Sequence, residues 1–261
     1  MYKSEQDFFR IGRARISITN DKKVIEMVKD AVSTHIKGYV CISNMRTVVI
    51  ANTDDSYQKV MENSLFNTPD GTPLVWCGKL WGLKKVQRAC GPHIFEAILK
   101  DKDSGLKHFF LGDTDDTLAK LTDKCKNNFK TEVVGVYSPP FKPLEEYNIE
   151  EIAKMINDSG ANVVWTSLRA PKQDFLGAML IPYLNEGIVV IGVGAAFRYI
   201  LGEYREPKGF MQKIGLAGIL FKRANTSTLE RIKWYFKHSF YLAKFSISIL
   251  AKRLFGRPYW K

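Results

Sequence analysis

Lys107-His-Phe-Phe-Leu-Gly-Asp-Thr-Asp-Asp116 sets the frame for the rest of the chain. A short apolar run flanked by polar residues reads as a buried strand. It closes on a glycine followed by Asp and Thr, residue types that start helices by accepting from the first free N–H groups. The helix is predicted over 118–129. A strand, a glycine and a helix start in succession can present backbone N–H groups to a nucleotide or phosphate. Units of the same kind lie on both sides. Upstream are an alternating run over 11–19, a helix capped by Asn20 or Asp21 with Val24, Ile25, Val28 and Val32 at helical spacing, and the strand Gly38-Tyr-Val-Cys-Ile-Ser43. Thr47-Val-Val-Ile50 reads as a further strand leading to Asn52-Thr-Asp-Asp55 and a helix with Tyr57, Val60 and Met61. Downstream come Glu132-Val-Val-Gly-Val136, Ala161-Asn-Val-Val-Trp-Thr-Ser-Leu168 and Gly187-Ile-Val-Val-Ile-Gly-Val-Gly194. Strands alternating with helices over 11–197 predict an α/β domain, 1–204, built on a mainly parallel sheet with helices on both faces.

Open sheets of this kind gather ligands beyond the carboxyl ends of their strands. The residues falling there are Asn44, Asp70, Arg88, Asp113, Gln173 and Gly194. Asp70 stands between Pro69 and Gly71, where a helical pattern must break, so it either closes a turn or offers a carboxylate. Arg88 could meet a phosphate bidentately or remain a solvated loop residue. Asp113-x-Asp115 resembles the metal-holding pair of many sugar-nucleotide transferases; helix capping explains it equally, and a third reading has Asp113 receive ribose hydroxyls. Tyr137-Ser-Pro-Pro-Phe-Lys-Pro143 is long enough to cover a site. In Arg169-Ala-Pro-Lys-Gln-Asp174, Gln173 is a neutral donor and acceptor for a base or sugar, and Lys172 either balances phosphate charge or lies on the surface. Gly192-x-Gly194 lacks the third glycine and the later acidic residue of a dinucleotide fingerprint, which argues against a nicotinamide cofactor. His35, His93, His108 and His238 are isolated, with no second His at metal spacing. The chain holds no G-x-x-x-x-G-K-[ST], no G-x-S-x-G and no internal repeat.

With 261 residues and 45% hydrophobic content, the chain can bury a sizeable core. Cys41, Cys77, Cys90 and Cys125 form no C-x-x-C pair, which argues against zinc knuckles and a disulfide framework and fits a reducing compartment. No uncharged run approaches the roughly 18 residues of a spanning helix, so a soluble body is expected. Lys and Arg number 39 against 27 Asp and Glu, a net charge of +12 that calls for an anionic partner: nucleic acid, an anionic membrane surface or a diphosphate. The excess gathers at the end, where 229–261 hold eight Lys or Arg and the single acid Glu230. There Leu229, Ile232, Phe236, Phe240, Ala243, Ile247, Leu250 and Leu254 step by threes and fours with cations and aromatics on the other faces. This predicts a basic amphipathic helical appendage over 205–261. It fits an interfacial membrane helix, or packing on the domain or on a second copy of the chain in a homo-oligomer.

Taken together, the strand-end Asn44, Pro69-Asp70-Gly71, Arg88-x-x-Gly91, Phe110-Leu-Gly112, Ala170-Pro-Lys-Gln-Asp174, Gly192-Val-Gly194 with Phe197, Gly202, Arg205-x-Pro207 and Gly215-Leu216 resemble the WecG/TagA/CpsF family of bacterial glycosyltransferases. The resemblance runs from about residue 20 to 235. It implies a Rossmann-like enzyme that moves a sugar, often of the N-acetylmannosamine type, from a UDP donor to a sugar on a polyprenyl diphosphate. It further implies Asp70 as general base, no metal or other cofactor, and contact of Gln173 and Arg88 with the donor and its diphosphate, with Asn44 beside it. Arg205 and Arg231 match family arginines in or near a C-terminal segment thought to reach the membrane and cover the site. The chain departs from the pattern at Ile42, with Ser43 beside it as a hydroxyl, and at Ala217-Gly218, Phe221 and Asn225-Thr226, positions that bear on the acceptor side.

The expected function is therefore an inverting, metal-independent glycosyltransferase of cell-surface polysaccharide assembly, peripheral to the cytoplasmic face of the plasma membrane. Asp70, Gln173 and Arg88 form the expected catalytic set. Ser43, Asn44, Gly71, Gly112, Asp113, Tyr137, Lys172, Gly192, Gly194, Arg205 and Arg231 form the substrate-binding set. A nucleic-acid-binding protein would share the basic charge but lacks a helix-turn-helix, RNP motif or fingers. A non-catalytic subunit of an assembly complex would leave Asp70 and Gln173 idle.

Overall fold

The computed structural model describes residues 7–204 together with Leu229, Phe236, Phe240 and Ile247. The chain opens with an antiparallel hairpin, β1 (Phe8–Ile11) and β2 (Ala14–Ser17), in place of the single strand expected over 11–19. Gly12 supplies the positive φ its tight turn requires. Helix α1 (Asp21–Ser33) starts at Asn20, whose side chain accepts from the Lys23 N–H, and leads into β3 (Gly38–Ser43).

The run Thr47-Val-Val-Ile50 is not a strand. It lies inside α2 (Met45–Thr53), because Asn44 accepts from the Arg46 and Thr47 N–H groups while the Thr47 hydroxyl accepts from the Asn44 N–H. This reciprocal cap overrides the β preference of two valines and an isoleucine. α3 (Asp55–Asn63) follows, then β4 (Phe66–Pro69), α4 (Thr72–Leu80), α5 (Gly91–Lys100), β5 (His108–Gly112) and α6 (Asp115–Lys124). The helix predicted over 118–129 ends as a π-helical turn, Cys125–Phe129. β6 (Val133–Tyr137), α7 (Ile149–Ser159), β7 (Val163–Ser167), α8 (Lys172–Leu180), β8 (Val189–Gly192) and α9 (Ala196–Ile200) complete the described chain.

Six strands form one parallel sheet in the order β4-β3-β8-β7-β5-β6. Side chains alternate between its faces. Tyr39, Cys41, Phe109, Leu111, Val164 and Val190 join a core with the hairpin, α2, α3, α4, α7 and α8. Val40, Ile42, Phe66, Phe110, Trp165 and Ile191 join a second core with α1, α5, α6 and α9. Helices thus cover both faces, as the alternation of elements predicts. All four cysteines are buried and none forms a disulfide. His108, also buried, accepts from the Trp165 indole at 3.0 Å and serves the core.

Among the described residues no helix is long and apolar enough to cross a membrane. Leu229, Phe236, Phe240 and Ile247 are helical and 60–70% exposed. Their separations of seven, four and seven match the spacing of the apolar stripe expected from the sequence. Arg205, Arg231, Ala217, Gly218, Phe221, Asn225 and Thr226 lie outside the described residues.

Candidate active site

The carboxyl edge of the sheet collects most of the predicted residues. Asp70 follows β4 directly, and its N–H donates to the Ser43 carbonyl at 2.7 Å and to Thr68 at 3.1 Å. This ties it to the end of β3. Gly71 takes φ +134°, a conformation open to glycine, and turns the chain at once into α4. The Arg88 loop is held against the same place, since the Ala89 N–H donates to the Pro69 carbonyl and the Thr68 hydroxyl to the Ala89 carbonyl. Arg88 Nε and Nη2 each lie 3.3 Å from Asp70 Oδ1, with the two side chains 29% and 25% exposed. The pair is longer than a tight charge-assisted bond and opens to solvent.

Gln173 sits under the middle of the edge. It is buried on α8, and its Oε1 accepts from the Gly194 N–H at 3.0 Å. A Cβ on Gly192 would stand 2.7 Å from the Gln173 amide nitrogen, so that glycine makes room for Gln173. The Ser167 hydroxyl donates to the Gly194 carbonyl at 2.6 Å, fixing the β8–α9 turn from its other side. A Cβ on Gly194 would meet nothing within 4 Å, so this turn is where the backbone lies open. Gly112 is tight: a Cβ there would stand 3.0 Å from the Ser167 carbonyl oxygen, and its small size serves β5–β7 packing.

Asn44 spends its carbonyl on the cap of α2, which leaves its amide as the group able to meet a ligand. Ile42 faces α1 and α5, and Ser43 therefore faces the opposite way, toward α8. The Ser43 and Thr166 hydroxyls are buried without hydrogen-bond partners among the described residues. On the Gln173 side Thr166 pairs with Gly192, and Ser43 lies two residues beyond Cys41, the β3 partner of Gly192, so both hydroxyls sit beneath the edge. Lys172 is engaged by the Pro-rich loop: Nζ donates to the Lys142 carbonyl at 2.7 Å and the Tyr147 hydroxyl at 3.0 Å, above the Tyr147 ring. Tyr137 is half-buried against the core, and the neighbouring Ser138 hydroxyl donates to the Asp113 carbonyl.

Asp113 takes φ +63°, and both carboxylate oxygens are gripped by Arg198 of α9, at 3.0 Å from Nε and 2.7 Å from Nη2. Burial pushes its carboxyl up, but the Arg198 and Thr114 hydrogen bonds outweigh this and hold it below the ordinary range. The Asp113 bond raises the Arg198 guanidinium in turn. Beside Gln173, Asp174 is fully buried, accepts from the Tyr57 hydroxyl at 2.6 Å, and is pushed up to about 7 by that burial.

Sequence reasoning missed Arg46 and Arg198. Arg46 Nη1 donates to the Ala170 carbonyl at 3.1 Å and ties the end of β3 to the loop after β7. Arg46, Arg88 and Arg198 thus give the edge three half-buried guanidinium groups, suited to a diphosphate. The cationic edge, its partly open carboxylate and the open turn at Gly194 match what transfer from a phosphorylated donor requires. The model of the glycosyl transferase WecG/TagA/CpsF family matches residues 9–221.

Proposed function

This chain belongs to the WecG/TagA/CpsF family of glycosyltransferases, and on that premise we propose that it carries a sugar from a UDP donor to a polyprenyl-diphosphate-linked sugar during cell-surface polysaccharide synthesis. The observation that carries the reading is the Asp70 carboxylate, fixed by its own backbone at the sheet edge, a quarter exposed and facing Arg88. The acceptor hydroxyl attacks the anomeric carbon while Asp70 takes its proton. The bond from that carbon to the diphosphate oxygen breaks, and its electron pair leaves with the diphosphate. Arg88, adjacent to the base, receives part of that charge. One direct displacement inverts the anomeric centre, and no metal enters these steps.

Gln173 supports the donor by shaping the Gly192–Gly194 turn, and the Asn44 amide lies at the neighbouring strand end. From the end of β4 to the end of β5 is four strand spacings, roughly 19 Å, a span that accommodates an extended nucleotide-diphosphate-sugar along the edge. The exposed stripe of Leu229, Phe236, Phe240 and Ile247, within a segment rich in Lys and Arg, supports peripheral attachment to an anionic cytoplasmic membrane face, where a lipid-linked acceptor resides. The test is a panel of UDP-sugars offered with a polyprenyl-diphosphate-sugar acceptor and a chelator, with products analysed by mass. Absence of transfer from every UDP-sugar, with transfer from another nucleotide sugar, would replace the donor assignment.

A further inference from the structure

The connections of the sheet part between β5 and β7. β5 sends α6 outward to β6, whereas β7 sends α8 back toward β8. Open α/β sheets take their ligands in the crevice at such a point. Its two lips are Asp113 and Arg169, both non-glycine residues at φ +63°, a costly conformation that persists where the surroundings fix it. Arg198 reaches into this crevice from α9. Asp113 is the buried half of the pair, its side chain 9% exposed against 35% for Arg198. The Thr114 N–H also donates to Asp113 Oδ1 at 2.9 Å, and Ser138 fixes the Asp113 carbonyl, so the carboxylate is fully engaged and the turn rigid. Of the five guanidinium N–H donors, Asp113 uses two, on Nε and Nη2. Nη1 makes only a loose ion pair with the part-exposed Glu203 carboxylate, at 3.6 Å and longer than a hydrogen bond.

On the reading that the donor is a nucleotide diphosphate sugar, we propose that Arg198 binds the donor's phosphates and that Asp113 acts through it as a positioning residue, without touching the ribose. A bare carboxylate in this crevice would repel a diphosphate. Paired with Arg198, the Asp113 charge is offset and the guanidinium is held in orientation before the ligand arrives, so that a phosphate can take over the Nη1 side from Glu203, whose side chain is 38% exposed. Arg169 on the facing lip and Arg46 behind it supply the positive charge.

Calorimetry with uridine and with UDP separates the nucleoside from its phosphates. Wild type should bind UDP far more tightly than uridine. Arg198→Ala should lose about 10- to 100-fold in UDP affinity, the worth of one or two charge-assisted hydrogen bonds, with uridine affinity unchanged. Arg198→Lys should fall between, since an ammonium cannot hold Asp113 bidentately while facing a phosphate. Asp113→Asn should weaken UDP less than Arg198→Ala does and leave uridine alone. The double variant Asp113→Asn with Arg198→Gln leaves no buried unpaired charge and keeps the site foldable; it too should lose UDP and retain uridine. If every variant binds UDP as wild type does, or if uridine and UDP weaken in parallel, Arg198 is not a phosphate ligand and the proposal fails. If wild type itself fails to bind UDP, the nucleotide-diphosphate reading fails first and takes this inference with it.

Discussion

The Gln173 side chain accepts from the Gly194 N–H at 3.0 Å, so a helix on one side of the sheet holds the turn that ends its central strand. Gln173→Ala would leave that half-buried N–H unpaired, at a cost of about 1–3 kcal/mol. Gly192→Ala would push a methyl group into the Gln173 amide and cost a similar amount through overpacking, about 1–3 kcal/mol. Both variants should show lower urea midpoints and weakened donor binding. A Gly192→Ala protein with unaltered stability and donor affinity would mean that Gln173 does not set the turn.

Asp70→Asn keeps the shape of the side chain and can keep the backbone bond to Ser43. We expect transfer to fall about 10²–10⁴-fold, the usual worth of a general base, with UDP-sugar binding retained. Steady-state rates and equilibrium binding on the same preparation check this. Full turnover would remove Asp70 as the base.

Asp174 makes stability depend on pH. Its carboxyl is pushed by burial from 3.8 to about 7 in the folded protein. The folded state therefore keeps its proton where the unfolded chain has released it, so stability declines as pH rises from about 4 to about 7 and this contribution levels off above. Relative to Asp174→Asn, wild type should lose stability between pH 5 and pH 8. Urea denaturation at both pH values reads the difference, and parallel behaviour of the two proteins would contradict the shift.

The exposed stripe at Leu229, Phe236, Phe240 and Ile247 should govern attachment to anionic vesicles. Phe236→Asp with Phe240→Asp should reduce co-sedimentation with such vesicles and leave soluble-donor binding unchanged. Undiminished co-sedimentation would assign the stripe to folding or self-association.

Much of this fold was legible because β3, β5, β7 and β8 are short apolar runs ending on glycine or a small polar residue. β4 was not, since half of it is Asn67 and Thr68, polar residues that are fully buried. They are paired through Ser17, Met61 and Ala89, partners that only the tertiary structure supplies. Thr47-Val-Val-Ile50 misled in the opposite direction, as a cap three residues away decided its conformation. Asp70, Arg88 and Gln173 could be placed at the edge from sequence because turn residues and strand ends point there. Arg46 and Arg198 were missed, because a cation within a helix carries no local mark of the loop it will reach.

Among the described residues β8 is the last strand to be synthesised, and it lies third of six, bridging β3 to β7. Until it is available, β4-β3 and β7-β5-β6 share no backbone ladder, and each presents a raw inner edge able to pair with the wrong partner. Nascent chains that have not yet emerged from the ribosome past residue 194 lack the N–H that Gln173 holds. Joining the halves waits for contacts distant in sequence, which slows folding. Growth of the chain thus completes the sheet edge only as the basic stretch 229–261 follows.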